Sequence, residues 1–225
     1  MELTENTLSI LKNFSGINQN ILFKQGTVLK TISEARNVLA SANVVEEFPK
    51  DFGIYDLNEF IGVLGLVDTP NLKFEDDNMI VSDSTGRTKI KYFYSSEDTL
   101  TTPSKDITMP ASDVKFKLSV DVLNKLKRAA STLGHNEASI TGSDGILNLS
   151  VIDTSNKTSN TFSIDVDGEF NKDINFNFIL NINNLKIVSD DYDVEISSKL
   201  ISQFTNSDAT VRYWIALEKS STFGV

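Results

Sequence analysis

The sequence of 225 residues contains no cysteine, a single histidine and only four prolines. Without cysteine, the chain can form no disulfide framework, thiol nucleophile, zinc–thiolate site or iron–sulfur cluster. A single imidazole, that of His135, excludes every site that needs two. No segment reaches the roughly 18 apolar residues that a membrane-spanning helix requires, so we expect no membrane partner.

A secretory signal is also missing from the first ten residues. Glu2 and Glu5 stand where such a signal carries lysine or arginine, so we expect a cytoplasmic protein. Hydrophobic residues nevertheless make up 40% of the chain, which is enough to form a core. At roughly 100–150 residues per domain, the length fits one large domain or two small ones.

Charge is distributed unevenly along the chain. The net charge of -10 argues against a protein that wraps nucleic acid with its whole surface. Residues 115–128 are the exception, because they carry five basic residues and only one acidic residue, Asp121. This segment predicts one local basic surface on an otherwise acidic molecule.

Apolar periodicity predicts two longer helices and two shorter ones. The first begins after Thr4, a suitable N-cap, and the third spans 119–133 with Ser119 as its N-cap. A short helix is predicted over 56–66, where Asp56 stands three residues before a glutamate in the spacing of a capping box. Another is predicted within 176–188, and alternating apolar segments between the helices predict strands.

The second half of the chain repeats the first. Leu8 and Leu11 recur as Leu123 and Leu126 at an offset of 115 residues. The apolar positions 54, 57, 60 and 63 recur at 179, 182, 185 and 188. Because the order of elements also agrees, the sequence predicts a duplicated α+β unit.

Domain limits follow from composition. Residues 95–113 contain two of the four prolines and no sustained apolar period. We therefore predict an N-terminal domain over 1–94, a connector over 95–113 and a C-terminal domain over 114–225.

Several strings in this order resemble the sliding clamps of T-even-type tailed phages, which are DNA polymerase processivity factors. The strings are LKNF at 11–14, DFGIYDLNEFIGVLGLV at 51–67, FNFILNINNLKIV at 176–188 and YWIALE at 213–218. The resemblance runs end to end. It implies two similar domains, each with two helices packed on antiparallel sheets, and a ring of three subunits.

The same resemblance implies the partners. They are encircled, non-specifically bound duplex DNA, the replicative DNA polymerase and a clamp loader, in the cytoplasm of the infected bacterial host. A ring retains DNA topologically, so it needs neither a net positive charge nor base contacts. An acidic chain with one basic helix face fits that task, although basic residues on a solvated helix face are also ordinary.

The resemblance implies three sets of functional residues. Those predicted to face DNA are Lys12, Lys125, Lys127, Arg128 and Lys186. Those predicted to join subunits by edge-strand pairing are Lys89, Ile90, Lys91, Tyr92, Phe93, Tyr94, Thr161, Phe162, Ser163, Ile164, Asp165 and Val166. Candidates for a pocket that binds a partner's terminal peptide are Leu100, Ile107, Met109, Trp214 and Phe223. For Ile107 and Met109 the alternative is attachment of the connector, and for Trp214 it is a core position.

No motif predicts catalysis. Ser9 and Lys12 have the S-x-x-K spacing of acylating enzymes but lack the elements that accompany it. His135 has no neighbouring nucleophile, and the aspartates within 190–193 lack the glycine and distal glutamate of a calcium loop. We therefore expect no catalytic residue, cofactor or metal. The alternatives are a β-rich phage structural or ligand-binding module without DNA contact, and a hydrolase with paired carboxylates.

Overall fold

The computed structural model describes residues 1–156 and 158–224. The chain divides into two compact units, Met1–Asp106 and Ile107–Val225. This boundary falls within the segment that the sequence predicts to be a connector. No helix among the described residues combines the length and apolar character that crossing a bilayer requires.

The first unit combines two helices with antiparallel strands. Its elements are α1 (Glu5–Ser15), β1 (Ile21–Phe23), β2 (Gly26–Ile32), β3 (Val38–Phe48), β4 (Phe52–Ile54), α2 (Leu57–Leu64), β5 (Asn71–Phe74), β6 (Asn78–Ser82), β7 (Lys89–Phe93) and a 3-10 turn at Glu97–Thr99. Strand β1 pairs with β4, and β2 pairs with β3. Strands β5, β6 and β7 form a sheet in that order, which places β7 at an edge.

The second unit combines one helix with a long antiparallel sheet. Its elements are β8 (Val114–Leu118), α3 (Val120–Leu133), β9 (Glu137–Ser143), β10 (Ile146–Ile152), β11 (Phe162–Phe170), β12 (Phe176–Asn181), a 3-10 turn at Ile182–Asn184, β13 (Tyr192–Ser197), β14 (Ile201–Asn206), β15 (Val211–Ala216) and β16 (Thr222–Phe223). The strand order in this unit is β16-β12-β9-β10-β11-β8-β13-β14-β15.

The helix starts confirm the caps predicted from the sequence. Thr4, Asp56 and Ser119 each accept a hydrogen bond from the backbone N–H three residues later. Each such bond satisfies a donor that the first turn of a helix would otherwise leave unpaired. Helix α3 ends at Gly134, whose φ of 71° is the left-handed conformation that glycine adopts readily.

The core of the first unit is mainly aliphatic beneath α1, with one aromatic ring, and mainly aromatic beneath α2. Helix α1 buries Ile10, Leu11 and Phe14. The rings of Phe23 and Phe52 stack in parallel with centroids 4.5 Å apart. Aromatic rings bury a large area in defined geometries, so this cluster fixes how β1 and β4 pack.

The core of the second unit repeats the helix face of the first. Helix α3 buries Leu123, Leu126 and Ala130, with Leu126 in the position that Leu11 has in α1. Tyr192 and Tyr213 are also buried and meet edge to face at 6.1 Å. The duplicated helix pattern therefore corresponds to a duplicated packing face.

The helix predicted within 176–188 is wrong. The segment forms β12, which pairs with β9 and β16, and a single 3-10 turn at Ile182–Asn184. Aromatic and β-branched residues in FNFILN favour a strand. The Asn181 side chain then accepts the Asn183 N–H at 3.0 Å, a local bond that competes with helical hydrogen bonding. The second unit therefore has one helix and a turn where two helices were expected.

The strands predicted between the helices are confirmed in both units. Besides β12, three strands were not predicted, namely β4, β8 and β16. Strand β8 alternates buried apolar residues with exposed lysines directly before α3, a period of two that is typical of a half-buried strand. The other two are only three and two residues long, too short for periodicity to show.

The beginning of the predicted connector is attached to the first unit by two buried asparagines. Asn18 donates to the carbonyl of Thr101 at 3.1 Å, and Asn20 accepts the Thr101 N–H at 2.9 Å. Lys30 and Asp106 form an ion pair within the same unit. Residues 95–106 therefore pack as part of this unit, whereas the domain limits drawn from composition stay a prediction.

Candidate nucleic-acid interface

A buried carboxylate from β3 holds the N-terminus of α1. Glu46 is only 7% exposed, and its two oxygens accept the Thr4 N–H and the Thr7 hydroxyl, both at 2.5 Å. Burial alone raises the pKa of the Glu46 carboxyl, but the hydrogen bonds from Thr7 and Thr4 outweigh it and leave the pKa below its usual range. These bonds fix the first turn of α1 against β3.

The exposed face of α1 carries one cation. Glu5, Asn6, Ser9 and Lys12 all point away from the core. Lys12 lies in the last turn, where its charge also complements the negative end of the helix dipole. This face is therefore mixed in charge rather than strongly basic.

A carboxylate from outside the helix also binds the N-terminus of α3. Asp191 accepts the Val120 N–H at 2.7 Å and is itself exposed. The arrangement resembles that of Glu46 at α1, but it supplies one hydrogen bond instead of two. Both long helices are thus positioned by an acidic side chain as well as by their own N-caps.

The exposed face of α3 is the more basic of the two. Asn124, Lys125 and Arg128 are exposed along it. Asp121 pairs with Lys125 at 2.7 Å, one helical turn away. Such an exposed pair contributes only a few tenths of a kcal/mol, so Lys125 remains available to another anion.

Lys127 has a different environment from its neighbours on α3. Its side chain is half-buried, and that burial lowers the pKa of the Lys127 ammonium. Lys127 and Lys186 line one open cavity of about 510 Å³ between the end of α3 and the 3-10 turn. The structure therefore brings together two of the five residues that the sequence predicts to face DNA.

Helix α2 contributes no basic residue. Asn58 and Glu59 are exposed on it, and Tyr55 and Leu66 beside it are 53% and 73% exposed. The surface of α2 is thus acidic and partly apolar. The cations predicted to face DNA in the second unit lie instead on α3 and, as Lys186, just after the 3-10 turn that follows β12.

Strand β7 offers one open edge. It pairs with β6 on one side and has no strand on its other side within the first unit. Tyr92 packs against Phe60 of α2 at 5.3 Å, whereas Phe93 points to the opposite face and is 59% exposed. Exposed edge strands with apolar side chains are liable to pair with other chains.

Strand β11 offers a second open edge. Residues 162–167 pair with β10 on one side, and only residues 168–170 pair with β8 on the other. The second side of 162–167 therefore has no strand partner in the described part of this unit. Both of the strands that were predicted to join subunits have free backbone edges.

A shallow groove lies beside the open edge of β11. Its volume is about 330 Å³, and Ala129, Leu133 and Phe162 form its apolar lining. Lys125 and Arg128 also contribute to its wall. The exposed cations of α3 thus lie next to the strand edge, whereas Lys127 lies beside the other cavity.

The candidates for a peptide pocket have well-defined contacts. Trp214 is half-buried and donates its indole N–H to the side-chain oxygen of Gln203 at 2.7 Å. It lies on the face of β15 opposite the buried Tyr213, so the core position that alternation favoured is wrong. Phe223 stacks on Phe178 at 5.9 Å and is held by β12.

The three connector candidates are all half-buried. Leu100 packs closely on Gly53. A β-carbon added to Gly53 would lie only 2.7 Å from the Cδ1 atom of Leu100. Ile107 and Met109 belong to the second unit. Their half-burial is compatible with attachment to that unit and with a surface that a peptide could cover.

The residues described in 1–156 and 158–224 include no group of three or more His, Asp or Glu side chains arranged to hold a metal ion. Asp190 instead accepts hydrogen bonds from Asn206 at 3.1 Å and from Ser207 at 3.2 Å. The acidic segment at 190–193 is therefore hydrogen-bonded to the end of β14, to the turn that follows it and to α3.

Sequence reasoning missed Glu46 and Asp191 as positioning residues. The signal for Glu46 is its place between Val44 and Phe48 on the buried face of an alternating strand. A charged residue at such a position needs hydrogen-bonding partners. No comparable local signal exists for Asp191, because its contact depends on how β13 pairs with β8.

Comparison with known proteins gives matches along nearly the whole chain. A family model described as DNA polymerase processivity factor matches residues 4–102, and one described as gp45 sliding clamp, C terminal, matches residues 115–219. Proteins named sliding clamp from Vibrio phage KVP40, Escherichia phage RB69 and Enterobacteria phage T4 are 31%, 31% and 30% identical to it. These alignments cover 97%, 99% and 99% of this chain and 99% of each relative.

Solved structures share the fold at much lower identity. Proliferating Cellular Nuclear Antigen from Entamoeba histolytica aligns with a TM-score of 0.66 and 16% identity over 94% of both chains. A chain of the PCNA2-PCNA3 complex from Sulfolobus tokodaii aligns with a TM-score of 0.67 and 14% identity over 94% of this chain and 95% of that one. The α+β clamp fold and the resemblance stated from the sequence are confirmed, and a structural or ligand-binding module is not favoured. The chain belongs to the sliding clamps, the family of DNA polymerase processivity factors.

Proposed function

We propose that three copies of the chain join head to tail into a closed ring that encircles duplex DNA and tethers the replicative DNA polymerase. The ring acts in the cytoplasm of the infected bacterial host and catalyses no reaction itself. The observation that carries this proposal is the pair of open strand edges, β7 in the first unit and residues 162–167 in the second.

The two edges suit a head-to-tail contact. An interface made of two different surfaces generates a ring when its rotation closes, and pairing removes both exposed edges. Tyr92 lies on the helix side of β7, and the groove lined by Leu133 and Phe162 lies on the helix side of β11. In the joined sheet, Ile90 and Tyr92 of one copy would cover this apolar groove of the next.

The DNA contact is electrostatic and independent of sequence. Lys12, Lys125, Lys127, Arg128 and Lys186 supply the charge. Because the ring prevents escape, weak attraction to phosphates suffices and permits sliding. Because the net charge of the chain is -10, the rest of the surface repels the DNA phosphates.

Two partners act on the ring in this proposal. A clamp loader opens it around DNA, and the polymerase then binds the surface that includes Ile107, Met109, Trp214 and Phe223, with Leu100 as the remaining candidate. A peptide from the polymerase C-terminus, titrated while amide chemical shifts are recorded, tests this location. Shifts confined to residues 1–94, with 100–113 and 213–224 unchanged, would exclude it.

The solution mass tests the ring. The wild-type chain should have three times the 24.9 kDa mass of one copy. Proline at Ile90 or Ile164 removes a backbone donor from a strand edge and should abolish the trimer. Proline at exposed Lys105, outside every strand, is the matched control. Normal trimer mass in both edge variants, with folding verified by circular dichroism, would exclude this pairing.

A further inference from the structure

The exposed face of the sheet in the second unit carries charges that alternate in sign from strand to strand. Lys115 of β8 lies opposite Glu195 of β13 on one side and opposite Glu169 of β11 on the other. Its ammonium pairs with Glu195 at 2.6 Å, and the pKa of Lys115 is raised mainly by Glu195 and less by Glu169. A basic strand is therefore flanked by two acidic strands, an arrangement in which cross-strand neighbours attract each other.

Two further carboxylates lie on β11 along the edge that β8 leaves open. Asp165 and Asp167 are two residues apart, so they share the exposed face of the strand. Across β10 they lie opposite Asn148 and Ile146, which carry no charge. The Asp165 carboxylate accepts a hydrogen bond from the Asn148 amide at 2.8 Å. The strand on the closed side of β11 therefore supplies no cation to either aspartate.

The neighbouring strand on the other side does not neutralise these aspartates either. Lys117 of β8 lines an open cavity together with Asp167, but its ammonium lies 3.6 Å from Asp193 and its side chain is 90% exposed. Within the described residues, no cation lies within ion-pair distance of the Asp165 or Asp167 carboxylate. These two aspartates form an acidic edge without a counter-charge.

Strand β7 presents the opposite charge at its own open edge. Lys89 and Lys91 share its exposed face, and across β6 they lie opposite Ser82 and Ile80. In the part of the chain that the structure describes, neither ammonium has a carboxylate within ion-pair distance. The Lys91 ammonium lies instead over the exposed ring of Phe93, 4.6 Å from its centroid. Lys89 and Lys91 thus form a basic edge.

A simpler role for charges at strand edges is protection against aggregation. A charged edge strand resists pairing with other chains, and this role accounts for each edge separately. It does not account for their opposite signs. Like charges oppose the pairing of two β7 strands or of two β11 strands, whereas a basic edge attracts an acidic one. Edges of opposite sign therefore favour the mixed pairing over the two self-pairings.

We infer that an ionic ladder selects the head-to-tail contact, with the basic edge of one copy beside the acidic edge of the next. The inference rests on the proposed ring. When the apolar residues of both strands lie on the helix side, alternation places the two lysines and the two aspartates together on the opposite face, whichever way the strands run. The ladder extends the alternation of β13, β8 and β11 into the next copy. Closure of the ring should consequently depend on salt, which screens exposed charges.

Reversing the charge of one edge at a time tests the ladder. One variant combines Lys89→Glu with Lys91→Glu, and the other combines Asp165→Lys with Asp167→Lys. Each should raise the protein concentration at which half of the trimer dissociates by about tenfold, because attraction becomes repulsion at all three contacts. Sedimentation over a dilution series measures this concentration. A chain with all four substitutions restores opposite signs and should regain the wild-type value.

Two comparisons separate the ladder from a general effect of charge. Lys73→Glu with Lys105→Glu reverses two exposed lysines outside both edges, so its trimer should dissociate at the wild-type concentration. Raising the salt concentration should weaken the wild-type trimer. A variant with Gln in place of both edge lysines and Asn in place of both edge aspartates should lose this dependence on salt. Circular dichroism verifies that each variant is folded.

Failure of the ladder and failure of the ring are distinguishable. If both edge reversals dissociate at the wild-type concentration while proline at Ile90 or Ile164 abolishes the trimer, the ladder is wrong and the ring stands. A folded chain with all four substitutions that remains as dissociated as the single-edge variants would also overturn the ladder. A wild-type chain that stays monomeric at every concentration would overturn the ring, and the ladder with it.

Discussion

The two units build their long helices in the same way and then diverge. Helices α1 and α3 begin at a hydroxyl N-cap, donate a backbone hydrogen bond at that start to an outside carboxylate and bury leucines at matching positions. After the intervening strands, the first unit forms α2 without a basic residue, whereas the second forms β12 and a turn followed by Lys186. The comparison teaches that one helix-packing scheme can carry different surface charges.

The outside carboxylates also differ in their surroundings. Glu46 is buried on a strand and accepts two hydrogen bonds, whereas Asp191 is exposed on a loop and accepts one. A carboxylate that is removed from water depends more strongly on its protein partners. The two helix starts should therefore differ in how much each anchor stabilises them.

Equivalent leucines test whether the two cores are alike. Leu11→Ala and Leu126→Ala should each lower the free energy of unfolding by about 2–5 kcal/mol, because both side chains are buried beneath a long helix. Urea unfolding at one fixed protein concentration measures this, since assembly shifts apparent stability. The exposed Ser9→Ala is the control. A decrease below about 1 kcal/mol for one leucine alone would contradict the equivalence of the cores.

Removing the outside carboxylate should destabilise the first unit more than the second. Glu46→Ala leaves the Thr7 hydroxyl and the Thr4 N–H without their acceptor and should lower the unfolding free energy by about 1–3 kcal/mol. Asp191→Ala should cost about 0.5 kcal/mol, because water can replace the exposed carboxylate. Hydrogen exchange of the first-turn amides in α1 and α3 measures both changes. Equal effects would contradict the distinction between buried and exposed anchors.

Acid should weaken the anchor of α1 in a defined direction. The pKa of the Glu46 carboxyl is lower in the folded protein than its usual value, so the folded state binds this proton less readily. Its contribution to stability is therefore complete above about pH 4.3 and is lost as the pH falls through the lower folded value. The stability difference between wild type and Glu46→Gln should shrink on acidification. A difference that stays constant from about pH 7 to about pH 3 would contradict this linkage.

Local patterns were sufficient for the long helices and misleading for the last short one. Thr4 and Ser119 cap within their own sequence, and the apolar spacing that follows is helical. The spacing of Ile179 and Ile182 also fits a helix, but pairing of β12 with β9 and β16 decides the structure of that segment. Such pairing joins distant residues and cannot be read from local periodicity.

In the candidate site, too, local sequence pattern determines some features and contacts between distant segments determine others. Exposure of Lys125 and Arg128 follows from the helical period of α3 alone. The half-burial of Lys127 and its cavity shared with Lys186 depend on the turn after β12, where the sequence predicted a helix. The assignments to DNA, to the subunit edges and to the peptide surface stay predictions.

Charge reversal on the exposed helix faces should have the smallest effect on stability. Lys125→Glu with Arg128→Glu changes exposed positions of α3, so the unfolding free energy should change by less than about 0.5 kcal/mol. Lys12→Glu on α1 should change the unfolding free energy equally little. Loader-dependent processive synthesis should nevertheless fall more for the double variant, because the exposed face of α3 carries Lys125 and Arg128 whereas that of α1 carries Lys12 alone. Comparison across moderate salt separates electrostatic loss from misfolding, since salt screens exposed charges. Unchanged synthesis by the double variant would show that the basic face of α3 does not contact DNA.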